Sequence, residues 1–301
     1  MENIRQTYSK GLAYAIASYG VWGLFPLYWK MISYVPSEQI LAHRIAWSCI
    51  FLLIMAIFRK DKTFIRYFSN PKIAFTLLLT AVLIALNWGV YIYAINHDHI
   101  VDSSLGYYIN PMINVLLGIV FLKERLSKIQ IIAVVFALAG IAWLTISVGR
   151  LPVISLILAF SFGFYGLIRK KINLQSMPGL TVETVVLMPV ALWFLWHVNN
   201  QGTGAFMHVS RFTDLILILG GPVTAIPLFW FGAATTRIPL STIGFIQYMS
   251  PTLQLILGLF VFHENFTNAY LISFCLVWIG LAIYSYSIVK EVKKRKNVIT
   301  A

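Results

Sequence analysis

Charge is what this sequence has least of. Of its 301 residues only 11% are Asp, Glu, Lys or Arg, under half of the about 25% that a water-facing surface ordinarily carries. Acid is the scarcest: 10 Asp and Glu stand against 23 Lys and Arg, for a formal net charge of +13. So little charge cannot wet the outside of a soluble globule. Soluble enzyme folds, disorder, collagen and coiled coils are excluded together. Cysteine is nearly absent as well. Cys49 and Cys275 each sit inside an apolar run with no CxxC, which excludes a disulfide framework and predicts two small buried hydrophobes. No Ser/His/Asp set, metal-ligand cluster or phosphate-binding glycine loop occurs, so no catalytic centre, metal, cofactor or direct ATP drive is expected. A basic stripe with interleaved aromatics is missing outside the apolar runs, which argues against nucleic acid.

What fills the chain is hydrophobic: 59% of residues, with 15% aromatic and a mean hydropathy of +0.80. A bilayer core takes about 20 apolar residues per helix. Ten such runs can be marked: Gly11–Val35, Ser37–Phe58, Ile73–Ile95, Ser103–Leu122, Ile129–Val148, Leu151–Ile168, Leu180–Val198, Asp214–Thr235, Pro239–Phe262 and Ala269–Val289. The first follows Lys10 without a small-residue cleavage site, so it reads as a helix that stays. Prolines at 26, 111, 189, 227 and 251 interrupt several runs, which membrane helices tolerate when neighbours satisfy the freed carbonyls. The fold class expected is an all-α integral membrane protein of ten transmembrane helices. With the N-terminus in the cytoplasm, only Lys30, Arg44, Arg150 and Arg211 of the 23 cations fall on the outer side. That asymmetry is the positive-inside pattern, and it puts both termini in the cytoplasm.

Sliding the chain by 140 residues aligns Tyr108, Pro111, Gly118, Glu124 and Gly140 with Tyr248, Pro251, Gly258, Glu264 and Gly280. Such internal similarity points to duplication. Five spans per copy is an odd number, so the second copy enters the membrane inverted. The expected division is 1–148 and 149–290 as two inverted five-helix repeats, with 291–301 a basic cytoplasmic tail. Inverted repeats place a substrate site near the midplane between the halves.

Polar residues inside a membrane are expensive and so are site candidates. Ser103, Tyr107, Asn110 and Asn114 share one helix face, and their repeat mates are Ile243, Gln247, Ser250 and Gln254. Two polar stripes at matching depth can line a cavity, or can be hydrogen-bonding glue between helices. Asn87, Trp88 and Tyr91 add polar-tipped aromatics in the third run, able to stack on organic substrates or simply to pack. His43-Arg44 lies about two turns inside the second run. The guanidinium there can bind an anionic or carboxylate group, join a network with Lys30 and Glu38, or snorkel. His43 can relay protons or sit as a buried hydrogen-bonding ring. Glu124 and Glu264 end their runs symmetrically, and Ser127 with Gln130 forms a capping-box signature after the first of them. Coupling to protons through either Glu remains an alternative to a structural hairpin role.

These residues also resemble a family. Leu27-Tyr-Trp-Lys30, Ile40-Leu-Ala-His-Arg44, Ser104-Leu-Gly-Tyr-Tyr-Ile-Asn-Pro111, Ser161-Phe-Gly-Phe-Tyr-Gly-Leu-Ile-Arg-Lys170, Gly220-Gly-Pro-Val-Thr-Ala-Ile-Pro-Leu228 and Gly244-Phe-Ile-Gln-Tyr248 are similar to the RarD proteins, EamA-type members of the drug/metabolite transporter superfamily. The resemblance covers nearly all of residues 10–290, with Asp102 where the pattern leads to Glu. It implies a ten-helix inverted-repeat transporter of the bacterial inner membrane. The function expected is a secondary transporter, an exporter of a small metabolite or drug-like molecule working by alternating access. Metabolite uptake and a non-transporting scaffold or sensor are the rivals.

Overall fold

The computed structural model describes residues 2–123, 127–172, 174–238, 242–243 and 246–299. Among these every regular element is a helix. They are α1 (Glu2–Lys30), α2 (Ser37–Phe58), α3 (Thr63–Phe68), α4 (Pro71–Asn96), α5 (Ile100–Leu122), α6 (Lys128–Val148), α7 (Val153–Ile172), α8 (Ser176–Asn200), α9 (Arg211–Thr235), α10 (Met249–Ile256) and α11 (Asn268–Ile299). Seven are long and apolar enough to cross a bilayer, and Val153–Arg169 and Met249–Val261 are shorter apolar helices. Their outward faces carry bare hydrophobics such as Phe58, Ile146, Trp193 and Phe260, as lipid rather than water would allow.

Local chemistry explains the helix ends. Asn70 caps α4 by accepting from the amides of Lys72 and Ile73, with Pro71 at the first helical position. The capping box at Ser127 and Gln130 forms at the start of α6. Asp61 accepts from the Thr63 amide at 2.9 Å and starts α3, a short helix with no buried residue and therefore no apolar run to announce it. The ninth run departs most from expectation. Regular helix over Met249–Ile256 passes into a π-helical turn over Leu257–Val261, and Pro239–Ser241 and Gly244–Phe245 lie outside the described residues. Glu124 and Arg125 do as well. Of the two cysteines, Cys49 is buried but Cys275 is exposed, so only the first is the buried hydrophobe expected: Cys275 sits on the outward face of α11.

Helix α6 packs along α11, α5 on α7, α1 on α10, α2 on α8 and α9, α4 on α7 and α8, α1 on α9, and α5 on α10. The α6–α11 seam is closed by glycines on both sides. A Cβ at Gly140 would stand 2.9 Å from the Ser273 carbonyl oxygen, and one at Gly280 would stand 2.7 Å from that of Ala133.

The two ends of the bundle differ. At one, Arg59 of the α2–α3 link reaches the Met177 sulfur, and Tyr67 of α3 accepts from the Gln175 amide. At the other, the links are tied closely. Lys30 pairs with Asp98 at 2.6 Å, Gln39 donates to the Thr203 carbonyl and accepts from the Ala205 amide, and Tyr270 donates to Asp102 at 2.8 Å. Glu264 caps α5, its two oxygens accepting from the amides of Ile100 and Val101 at 2.7 and 2.8 Å.

Candidate functional site

Between these helices lies a cavity of about 370 Å³. Its walls bring together Arg44 of α2, Asn87, Trp88 and Tyr91 of α4, Tyr107 and Asn110 of α5, and Gln247, Ser250 and Gln254 at and before α10. It extends to Arg169, Ser176 and Met177. Ser176 is exposed, so the cavity meets the surface at the α7–α8 link, on the loosely tied end.

Arg44 is the charged centre of this wall. It is 4% exposed, and among the described residues no carboxylate lies within ion-pair distance of it. Its Nε donates to Thr224 Oγ1 at 3.0 Å. Three rings enclose the guanidinium: Trp88 with its centroid 4.3 Å away, Trp29 at 5.3 Å and Phe25 at 5.7 Å. Cation–π contacts of this kind partly offset lost hydration. One nitrogen, Nη1, is buried without a hydrogen-bond partner, and so is the hydroxyl of Tyr91 in the same wall. Buried orphan donors are rare in folded proteins. Both residues belong to the cavity wall.

The anticipated link of Arg44 with Lys30 and Glu38 does not form. Lys30 turns to Asp98 and the Ile95 carbonyl, and Glu38, six residues before Arg44 and so about 120° around the helix from it, is exposed. His43 also turns away: its ring packs on Phe206 with centroids 5.0 Å apart, outside the cavity lining.

The amides of the polar stripes are spent on helix contacts while their faces line the cavity. Asn87 Nδ2 donates to the Leu158 carbonyl and to Ser161 Oγ, both at 3.0 Å, and Asn110 Nδ2 donates to the Ala159 carbonyl at 3.0 Å. Lining and glue are therefore not alternatives here. The stripes are unequal at their last members. Gln254 is buried in the wall, with Nε2 3.4 Å from the Trp22 carbonyl of α1. Asn114, one methylene shorter, turns back to Asn110 Oδ1 at 3.1 Å and stays exposed outside the cavity.

Glu183 of α8, absent from the polar stripes, is fully buried beside Thr80, Tyr165 and Arg169. A lone acid within the apolar run Leu180–Val198 is its signal in the sequence. Among the described residues no group of three His, Cys, Asp or Glu is arranged to hold a metal.

Residues 9–146 match the EamA-like transporter family. The chain is 42% identical to the uncharacterized transporter YojE of Bacillus subtilis, over 96% of this chain and 97% of that one. It is 41% identical to protein RarD of Escherichia coli, over 91% of this chain and 93% of that one. A solved crystal structure at 15% identity superposes with a TM-score of 0.58, covering 92% of this chain and 97% of its own, a likeness of fold alone. The names of the family and of the Bacillus subtilis relative describe transporters rather than enzymes.

Proposed function

Because the chain belongs to the EamA-like transporter family, among its RarD-type members, and is a multi-pass membrane protein, we propose that it is a secondary transporter of small organic anions or zwitterions. In this reading it exports its substrate across the bacterial inner membrane by alternating access, with both termini cytoplasmic. Ten spans form two inverted repeats, 1–148 and 149–290, followed by the basic 291–301 tail. Packing supports this architecture: α5 on α7 is answered by α10 on α1, α4 on α7 by α9 on α1, and α4 on α8 by α9 on α2. Each contact has the partner that exchanging the halves requires. The substrate-binding residues are Arg44, Asn87, Trp88, Tyr91, Tyr107, Asn110, Gln247, Ser250 and Gln254, with His43 and Asn114 outside the wall.

The observation that carries the reading is the buried Arg44 guanidinium with an unused Nη1, in the same cavity wall as Tyr91 with its unused hydroxyl. A carboxylate accepts from donors of either kind. Trp88 and Phe25 offer flat apolar surface to the rest of the molecule. Proteoliposomes loaded with a panel of amino acids, aromatic acids and amphipathic drugs test it. Counterflow of carboxylate-bearing compounds in the wild type, lost in Arg44→Lys at equal protein content, is expected. Equal counterflow of neutral and carboxylate-bearing analogues would overturn the assignment of Arg44.

A further inference from the structure

At the mouth end of the cavity a second polar group is built around Glu183, which has 0% exposure. Thr80 Oγ1 lies 2.6 Å from Oε1, the Tyr165 hydroxyl donates to Oε2 at 3.2 Å, and Arg169 Nη1 stands 3.5 Å from Oε1. An ionised carboxylate away from water is costly unless it is well paired. The pairing here is loose. Arg169 commits Nη2 to the carbonyls of Gln175 and Ser176 at 3.2 Å each, and its Nη1 makes no hydrogen bond. A fixed structural pair would present the guanidinium fork bidentately.

Thr80 adds a second, independent observation. Its Oγ1 is within hydrogen-bond distance of Glu183 Oε1 and of the Leu77 carbonyl, at 2.6 and 3.1 Å. A hydroxyl has one proton and two lone pairs. With Glu183 ionised, Thr80 donates to the carboxylate. With Glu183 neutral, the acid donates to Thr80 and Thr80 donates to Leu77. Both protonation states are satisfied with the heavy atoms where they stand. Tyr165 and Arg169 line the cavity, so cavity water is one side chain away from the acid.

Among the described residues, no charge other than Arg169 is placed against Glu183. From α7 the titratable groups are Arg169 and Tyr165, and from α4 the contact is Thr80. Cys49 of α2 is hydrogen-bonded to the neighbouring Thr184. Tyr67 of α3 is engaged with the Gln175 amide. From α9, among the described residues, no charged group pairs with Glu183.

We propose that Glu183 is a reversible proton-binding site, and that protonating it frees the Arg169 guanidinium for an anionic group in the cavity. The proton passes from cavity water to Glu183, and the positive charge that loses its partner is offered to the ligand. Anion and proton therefore favour each other's binding. What this means for coupling rests on the transport reading above, whereas proton binding does not.

Infrared difference spectra of the full chain in liposomes, titrated with acid and no substrate present, test the site directly. Among the carboxylic-acid carbonyl bands that appear reversibly, one is expected to be missing in Glu183→Gln and to shift in Thr80→Val, where the acid loses its acceptor. Should Glu183→Gln fail to insert, the shift in Thr80→Val carries the test. The same bands in wild type and both variants, or no band in the wild type, would overturn the proposal. The Glu183 band in a protein that transports nothing would count against the transport reading and leave the proton site standing.

Discussion

The Arg44 guanidinium carbon lies 4.3 Å from the centroid of the Trp88 ring, and this contact stands where a buried arginine ordinarily keeps a carboxylate. Aromatic faces attract a cation without neutralising it. The charge is held in place without an ion-pair partner among the described residues, as the proposed anion site requires.

Arg44→Lys keeps the charge but loses the planar fork and its stacking. Transport of carboxylate-bearing substrates should fall at least about tenfold, equivalent to about 1.4 kcal/mol, with membrane insertion unchanged. Trp88→Leu should weaken binding more mildly, since one cation–π contact is worth about 0.5–2 kcal/mol. Counterflow rates normalised to protein content check both.

The α6–α11 seam offers a stability prediction. Alanine at Gly140 or Gly280 places a Cβ under 3.0 Å from a facing carbonyl oxygen, so the helices must separate. Overpacking of this kind costs about 1–3 kcal/mol. Both variants should unfold at lower temperature in detergent. Gly166→Ala, whose Cβ would meet nothing within 4 Å, should not.

Much of this was legible in the sequence because membrane folding writes in long apolar runs. The starts of α2 and α6 follow from hydropathy and the capping box, and helical spacing puts Tyr107 and Asn110 on one face. Contacts made across helices were not legible. Nothing in the chain order says that Glu183 meets Thr80, 103 residues away, or that Lys30 prefers Asp98 to Glu38. Nor does it say that Gln254, which like Asn114 bonds back to the residue four before it, also meets Ser103 and the Trp22 carbonyl and is buried, while Asn114 is exposed.

Glu264 gives a pH prediction. Burial raises its pKa, against the lowering effect of the Val101 and Ile100 amides, and Asp98 and Asp102 raise it further. The folded protein therefore holds a proton on Glu264 at pH values where the unfolded chain has lost it. Between the ordinary carboxylate value and the raised one, stability should fall as pH rises. Glu264→Gln cannot titrate, so that part of the slope should vanish. Thermal unfolding across pH in both proteins measures the difference. A wild-type slope retained in Glu264→Gln would assign it to other groups.

Topology can be tested at Asp61 and His99, which lie in the links before and after α4. The 26 residues of that helix span about 39 Å at 1.5 Å per residue, enough to cross the bilayer. Reporter fusions at the two positions should give opposite signals, cytoplasmic at Asp61. Matching signals would remove the inverted-repeat arrangement.

The opening of the cavity at the α7–α8 link leads to the last prediction. Its mouth lies by Ser176, while Lys30–Asp98, the Gln39 bridge, Tyr270–Asp102 and the Glu264 cap tie the opposite end. Cysteines at Ser176 and Ser250, introduced without Cys49 and Cys275, sample the mouth and the deep wall. A membrane-impermeant thiol reagent applied on the α7–α8 side should modify Ser176→Cys quickly and Ser250→Cys more slowly. Applied on the other side, it should leave both unmodified until the outer ties are loosened, for example by Lys30→Ala with Glu264→Gln. Leu117→Cys, buried in the packed core, should stay unmodified throughout and control for unfolding. Because Ser250 is 8% exposed, its reaction requires water to enter the cavity, and a packed helix interface would not admit it. Modification of Ser250→Cys from the tied end in the otherwise intact protein would mean that the seal is elsewhere and that the substrate path does not run from Ser176 to Arg44.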